Sequence, residues 1–297
     1  MNQQIVFSIM AIMDYSSFKE IFNETIFDKS KADLISKIAE YPNRYIGLFR
    51  PTKPKAKILQ NLLQSHEIRF GDAFERIIER YLSLKNCHLL EKRYTNSENE
   101  TLSIDQCFEK NGKVYFIEQK VRDDHDSTKK RGQINNFEKK LYLLQNEYTD
   151  RDVIGIFYFI DPDLMKNKNY YEEQLHKMSG DYDVDLHLFY GQPLFDYLGY
   201  PDVWIEILSY LERWKAEIPD FPEINFDLDA THTFEEIKDL KPPIFRKLFD
   251  NEQVFDEILL TLFPHKQTLR LLYGYFLSKD KPIYKNLATK LSRKINL

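Results

Sequence analysis

The sequence predicts an α/β (α+β) chain in which helices pack on a mixed central β-sheet. Three patterns predict it. Asn111-Gly112 lies between two apolar-rich runs, the signature of a hairpin whose tight turn needs positive φ at both central positions. "VIGIFYFI", residues 153 to 160, is apolar throughout and reads as a strand buried on both faces. Around these runs, apolar residues recur at helical spacing. The order helix, hairpin, helix, strand and then helices suits a mixed sheet with helices laid on it.

The composition narrows the class. With 297 residues, 42% of them hydrophobic and 22 Phe and 19 Tyr among them, the chain can bury a large core and is too apolar to be disordered. Net charge is −5, so any nucleic-acid contact must rest on a local concentration of basic residues. Cys87 and Cys107 form no CxxC pair, which suits a reducing cytoplasm. No stretch approaches the roughly 18 apolar residues that a membrane span needs. The apolar run Ile5–Met13 has no basic residues before it and reads as a buried element, not a signal peptide.

In chain order, the Pro-containing stretch Arg50–Pro54 separates an N-terminal helical segment from the rest. Helices are expected at Lys57–His66 and at Gly71–Leu84, the second with Phe74, Ile77, Ile78 and Tyr81 as its apolar stripe. The hairpin follows, then a polar segment from Arg122 to Gly132. A helix is expected from Gln133 to about Gln145 with Ile134, Phe137, Leu141 and Leu144 on one face. After the strand at 153–160, "DLHLFY" at 185–190 is a second strand candidate. From Val203 the pattern is mostly helical, broken at Ile218–Pro222 and at Pro242-Pro243. The last helix carries Tyr284, Leu287, Leu291 and Ile295 on one side and basic residues on the other. The expected division is an N-terminal helical region (1–69), a core (70–200) and a helical C-terminal region (201–297) for DNA binding or dimerisation.

The hairpin "IDQCFEKNGKVYFIEQK", residues 104 to 120, holds the chemistry. If Asn111-Gly112 are the loop residues, Lys110 faces Lys113, and counting outward sets Asp105 opposite Glu118. Directly opposed side chains share a face, and Lys120, two residues on, joins them. Opposed carboxylates repel unless a cation lies between them. Hard oxygen ligands at one point suit Mg²⁺, and a neighbouring ammonium can orient a water or stabilise charge on a phosphate. That combination is the equipment for metal-assisted phosphodiester hydrolysis.

Asp105 followed by Glu118-Gln119-Lys120 resembles the D…(D/E)xK motif of the PD-(D/E)xK nuclease superfamily, which includes most type II restriction endonucleases. The residue before Asp105 is Ile104, where the family motif often has Pro. The helix "FGDAFERIIERYL" before the hairpin, and the helix and strand after it, match the family's order, so the resemblance spans roughly residues 70 to 160. It implies a restriction-endonuclease-like fold and a type II, Mg²⁺-dependent enzyme cutting double-stranded DNA at a specific short site. Asp105 and Glu118 would bind the metal, Glu75 from the preceding helix would hold a second ion, and Lys120 would serve the attacking water. Cutting both strands of a symmetric site implies a homodimer.

"VRDDHDSTKKRGQINNFEKK", residues 121 to 140, follows directly. Lys and Arg neutralise phosphates, as do backbone amides at a helix N-terminus, and Asn and Gln can read adenine edges. Arg122, Ser127, Lys129, Lys130, Arg131, Gln133 and Asn135 are the DNA-contact candidates. The plainer reading is a solvated loop whose basic end faces its acidic start, Asp123, Asp124 and Asp126. His125 is kept out of the catalytic set.

Two other readings stay open. A structure-specific or repair nuclease of the same fold would cut branched or nicked DNA without a preferred site. A non-catalytic interaction protein would carry the hairpin as mere surface. No Walker loop, GxGxxG, HExxH, GxSxG or zinc-type Cys/His spacing is present.

Overall fold

A computed structural model of the chain describes residues 11–28, 30–95 and 99–296. Its elements run α1 (Tyr15–Ile26), α2 (Ser30–Glu40), α3 (Asn43–Ile46), α4 (Pro54–Leu84), β1 (His88–Leu89), β2 (Arg93–Thr95), β3 (Thr101–Ser103), β4 (Gln106–Lys110) and β5 (Lys113–Lys120). Then come α5 (Ser127–Glu147), β6 (Val153–Phe159), α6 (Lys168–Tyr182), β7 (Asp185–Tyr190), α7 (Pro193–Leu198) and α8 (Pro201–Glu217). The chain ends with α9 (Ala230–Ile237), α10 (Pro242–Asp250), α11 (Glu252–Val254), a π-helical turn (Phe255–Leu259), α12 (Leu260–Leu262), α13 (Gln267–Leu277) and α14 (Pro282–Ile295).

Two compact units emerge. The first comprises residues up to Ile21 together with Gly71–Glu217, and the second Phe22–Phe70 with Ile218–Leu297. In the first unit, strands in the order β1-β4-β5-β6-β7 make a mixed five-stranded sheet flanked by helices, the α/β architecture expected from the sequence. β1, β4 and β5 pair antiparallel, and β5, β6 and β7 pair parallel. β2 and β3 form a separate antiparallel pair.

The hairpin register is the one that the Asn-Gly turn dictates. Asn111 and Gly112 hold φ of 53° and 75°, and pairing runs from Lys110↔Lys113 out to Gln106↔Ile117. β6 is buried at every position, as a parallel strand covered on both faces must be. Ile134, Phe137, Leu141 and Leu144 of α5 and Tyr171, Leu175 and Met178 of α6 share a core with Val114, Phe116, Phe157 and Phe159. The other face meets α4, where the Gln106 side chain donates to the Glu75 carbonyl at 2.8 Å, and α7, where Phe195 packs edge-on to Tyr158.

In the second unit, α2 and the first half of α4 share one core with α9 to α14: Leu34, Ile38, Ile58 and Leu62 lie with Phe245, Ile258, Leu272 and Leu291. Segments far apart in sequence thus build one body. On α14, Leu287, Leu291 and Ile295 are buried as the apolar stripe requires, and Lys290 and Lys294 pair with Asp250 and Glu252.

Two expectations change. The helices at Lys57–His66 and Gly71–Leu84 are one continuous helix, because residues 67–70 include no breaker and Gly71 is tolerated within it. α5 begins at Ser127, not Gln133, because Asp126 caps it by accepting from the Thr128 and Lys129 amides, both at 2.9 Å. Lys129 to Arg131 therefore lie in the first turns of a helix and not in a loop ahead of it. Of the apolar run Ile5–Met13, residues 5–10 lie outside the described ones, while Met13 is buried and donates its amide to Glu206.

Candidate active site

The site forms where the hairpin ladder stops. β4 begins at Gln106, so Asp105 stands one step outside the ladder and opposite Glu118. Its carboxylate turns back across the strand end: Oδ2 accepts from the Gln119 amide at 2.7 Å and from Lys120 Nζ at 3.4 Å. Lys120 Nζ also donates to Glu118 Oε1 and to the Gln119 carbonyl, both at 2.8 Å. An ammonium has three N–H donors, and here each has an acceptor. Asp105, Glu118 and Lys120 are brought together as the register requires.

Even-numbered β5 residues face α5, and α5 supplies a group that the sequence reading missed. Lys140 reaches the second oxygen of Glu118, forming an ion pair with both side chains 5% exposed. The signal was present: Lys140 lies three residues after Phe137 and four before Leu144, inside the apolar stripe of the helix. A lysine in that stripe needs a buried partner.

The electrostatics follow from this crowding. Burial first, and the charge of Glu118 second, hold the Asp105 carboxyl above its ordinary value, with Lys120 and Lys140 pulling against them. Burial opposes the charge on Lys120, but Glu118 and Asp105 outweigh it and raise its pKa. Glu75, on α4, is pushed up to about 7, by burial and then by the charge of Asp105. Glu75 thus shares the electrostatic environment of Asp105 and Lys120. Carboxylates whose pKa values are displaced by burial and a specific charged neighbour cluster at functional sites.

A divalent cation is tested by the donors present. Asp105 Oδ2, Glu118 Oε1 and the Gln119 carbonyl converge on one positive group, the Lys120 ammonium. Hard oxygens converging on a cation position fit Mg²⁺, which takes one or two carboxylates and keeps several waters. Among the described residues no group of three or more His, Cys, Asp or Glu side chains is placed to hold a metal alone. The fit therefore rests on two carboxylates and a backbone carbonyl.

The DNA-contact candidates divide. Ser127, Lys129, Arg131 and Asn135 are exposed on the first turns of α5. Lys130 lies 4.3 Å over the Tyr170 ring, and Gln133 accepts from the Tyr171 hydroxyl at 2.6 Å. Arg122 lies two residues past the end of β5 and is half-buried. The first amides of α5 are already taken by Asp126, so that helix end offers fewer donors to a phosphate than the sequence implied. The solvated acidic start is also corrected. Asp123 is fully buried and accepts from the Asn167 amide and side chain and from the Tyr190 hydroxyl, at 2.7 to 3.0 Å. Burial lowers the His125 pKa, against the pull of neighbouring Asp124.

A mixed sheet with a hairpin-borne Asp…Glu-x-Lys set at its strand end defines a nuclease of the PD-(D/E)xK type. The family model described as type II restriction endonuclease, HinfI, matches residues 14–98 and 83–215, which take in every residue of the site. The chain belongs to that family of restriction endonucleases. No match was found among curated proteins or among solved structures. No helix of the described residues is long and apolar enough to cross a membrane.

Proposed function

We propose that this restriction endonuclease is a Mg²⁺-dependent hydrolase that cuts both strands of double-stranded DNA at a specific short site, working in the cytoplasm as a homodimer. The observation that carries the reading is the convergence of Asp105, Glu118 and the Gln119 carbonyl on the Lys120 ammonium. Asp105 and Glu118 would hold the metal, and Glu75 would hold a second ion. The metal, when bound, supplies Lewis acidity toward the scissile phosphate and acidifies a water. Lys120, the most exposed of the four charged groups, orients the attacking water and offsets the charge that develops on phosphorus. Lys140 is a positioning residue: by holding one Glu118 oxygen it directs the other toward Asp105. Arg122, Ser127, Lys129, Lys130, Arg131, Gln133 and Asn135 line the path of the cut strand. Residues 70–200 carry the chemistry, and the helical region 201–297 serves DNA binding or dimerisation.

Digestion of plasmid and phage DNA with Mg²⁺, comparing wild type with Lys120→Ala and Asp105→Ala, tests this. Discrete fragments from the wild type are expected, with cleavage at least about 100-fold slower in each variant. Random degradation lost in both variants would keep the site and favour a structure-specific nuclease. Cleavage unchanged by the substitutions would overturn the assignment.

A further inference from the structure

The second compact unit carries a feature that the nuclease chemistry does not use. After α3, the Arg50 amide donates to the Gly47 carbonyl at 3.1 Å, closing a four-residue turn with Leu48 and Phe49 at its apex. Leu48 is 90% exposed and Phe49 is 99% exposed. Two adjacent apolar side chains offered this fully to water form a small exposed apolar patch, a feature that interaction sites share.

The turn is built to present them. Tyr45, just before it, is buried, and its hydroxyl donates to Asn61 Oδ1 of α4 at 3.3 Å. The Gly47 amide donates to the Asn43 carbonyl at 3.2 Å, and a Cβ at position 47 would collide with that same carbonyl. The tip therefore stands on a fixed base.

The surroundings identify the partner by charge. The chain has 47 Asp and Glu, yet none falls between Tyr41 and His66, a stretch that contains Arg44, Arg50, Lys53, Lys55 and Lys57. Arg44, Arg50, Lys53 and Lys55 are exposed. In an acidic protein this is a run of basic residues that flanks the apolar tip along the chain. Cations that neutralise phosphates, around apolar side chains that enter a base step, are the composition by which proteins wedge duplex DNA open.

We propose that the Gly47–Arg50 turn is a DNA wedge: Leu48 and Phe49 insert at a base step of the duplex while Arg44, Arg50, Lys53 and Lys55 hold the flanking phosphates. The proposal rests on the DNA-cleaving reading of the chain and adds a second DNA contact to it, one that distorts its substrate. It predicts sequence preference at the inserted step through deformability, since pyrimidine–purine steps unstack most easily.

The test uses the full chain carrying Lys120→Ala, to prevent cleavage, with a duplex containing 2-aminopurine. The parent is expected to bind with a rise in 2-aminopurine emission as bases unstack. Adding Leu48→Ser with Phe49→Ser should abolish that rise and weaken binding about tenfold or more. Phe49→Trp should show emission quenched by the duplex. Both positions are solvent-exposed, so an unchanged melting temperature is expected and is checked first. Unchanged affinity and unchanged 2-aminopurine signal in the double serine variant would overturn the wedge, while discrete cleavage by wild type would leave the nuclease reading intact. A shift of the double serine variant toward lower mass in sedimentation would instead make the tip a contact between copies of the chain. Binding of the tip to anionic phospholipid vesicles, with no dependence of DNA affinity on it, would make it a membrane contact. Either result overturns the proposal, and a wild type that binds no duplex at all would sink both readings.

Discussion

Glu118 and Lys140 form a buried ion pair across the sheet–α5 interface, and the other oxygen of Glu118 is held by Lys120 at 2.8 Å. Each carboxylate oxygen therefore has its own cation. Glu118 and Lys140 are 22 residues apart on two different elements, and the cost of desolvating both charges is offset only while both are present.

This coupling can be measured. In metal-free buffer, Lys140→Met should cost about 3 kcal/mol of unfolding free energy, because it leaves a buried charge short of a partner. Glu118→Gln with Lys140→Met should cost less than the sum of the single changes, with a coupling of about 1–3 kcal/mol. Denaturant unfolding of the four proteins decides it, and strict additivity would show that the pair does not act as a unit. Lys140→Met should also slow cleavage at least about tenfold while DNA affinity holds, since it acts through the placement of Glu118.

A second outcome concerns pH. Glu75 is raised in the fold from 4.5 to about 7, by burial and then by Asp105, and Asp105 is raised too. A carboxyl with a raised pKa binds more protons folded than unfolded, so stability is full below about 4.5 and declines as pH climbs toward 7. Lys120 is raised from 10.5 and changes only at more alkaline pH. Metal-free melting temperatures should therefore fall from pH 5 to 7 (roughly the Glu75 titration range), and Glu75→Gln should flatten that fall. A slope identical in the variant would contradict the placement of Glu75. Metal affinity should run the opposite way, tightening as pH rises through 7, since the proton must leave before the carboxylate can hold a cation.

How much of this was legible in sequence depends on how local each cause is. Asn111-Gly112 dictates its own turn, the turn dictates the register, and the register brings Asp105, Glu118 and Lys120 together. The continuous apolar run at β6 announced a strand covered on both faces. The start of α5 is hard to see in sequence because Asp126 lies in an acidic run and its role as a cap shows only in its bonds to the Thr128 and Lys129 amides. Asp123 is illegible for a different reason. Its partners, Asn167 and Tyr190, lie 44 and 67 residues away, and no local spacing reports a tertiary contact of that kind. The short strands β1 to β3 have too few residues to show a period. Lys140 is an intermediate case: its position in the stripe showed that it was buried, but not that Glu118 was its partner.

Asp123 should prove structural. Asp123→Ala would leave the Asn167 amide and the Tyr190 hydroxyl unpaired in the interior, at a cost of at least about 2 kcal/mol. Urea unfolding should show the loss. The salt dependence of DNA binding should not change, because Asp123 faces the protein; an altered salt slope would place it in the DNA interface instead.

Gly155 tests the packing of the sheet. It pairs with Phe116 on one side and Leu186 on the other. A Cβ there would come within 2.6 Å of Leu186 Cδ2 and 2.7 Å of Phe116 Cε1. Gly155→Ala should destabilise the protein by about 1–3 kcal/mol through overpacking. Full stability in thermal and denaturant unfolding would mean that β5, β6 and β7 are less tightly packed than the register implies.

The last prediction separates the residues of α5 by what they touch. Lys129 and Arg131 are exposed, whereas Lys130 is drawn over the Tyr170 ring. A phosphate contact contributes about 0.9 to the slope of log affinity against log salt. In the Lys120→Ala background with Mg²⁺, Lys129→Ala and Arg131→Ala should each lower that slope by about 0.9 on every duplex tested. Lys130→Ala should lower it less, because its ammonium is partly engaged within the protein. Asn135→Ala should leave the slope alone and reduce the preference between cognate and altered duplexes by about 1–3 kcal/mol. Slopes unaffected by Lys129→Ala and Arg131→Ala would remove the first turns of α5 from the DNA path and leave the cut strand to be held elsewhere on the chain.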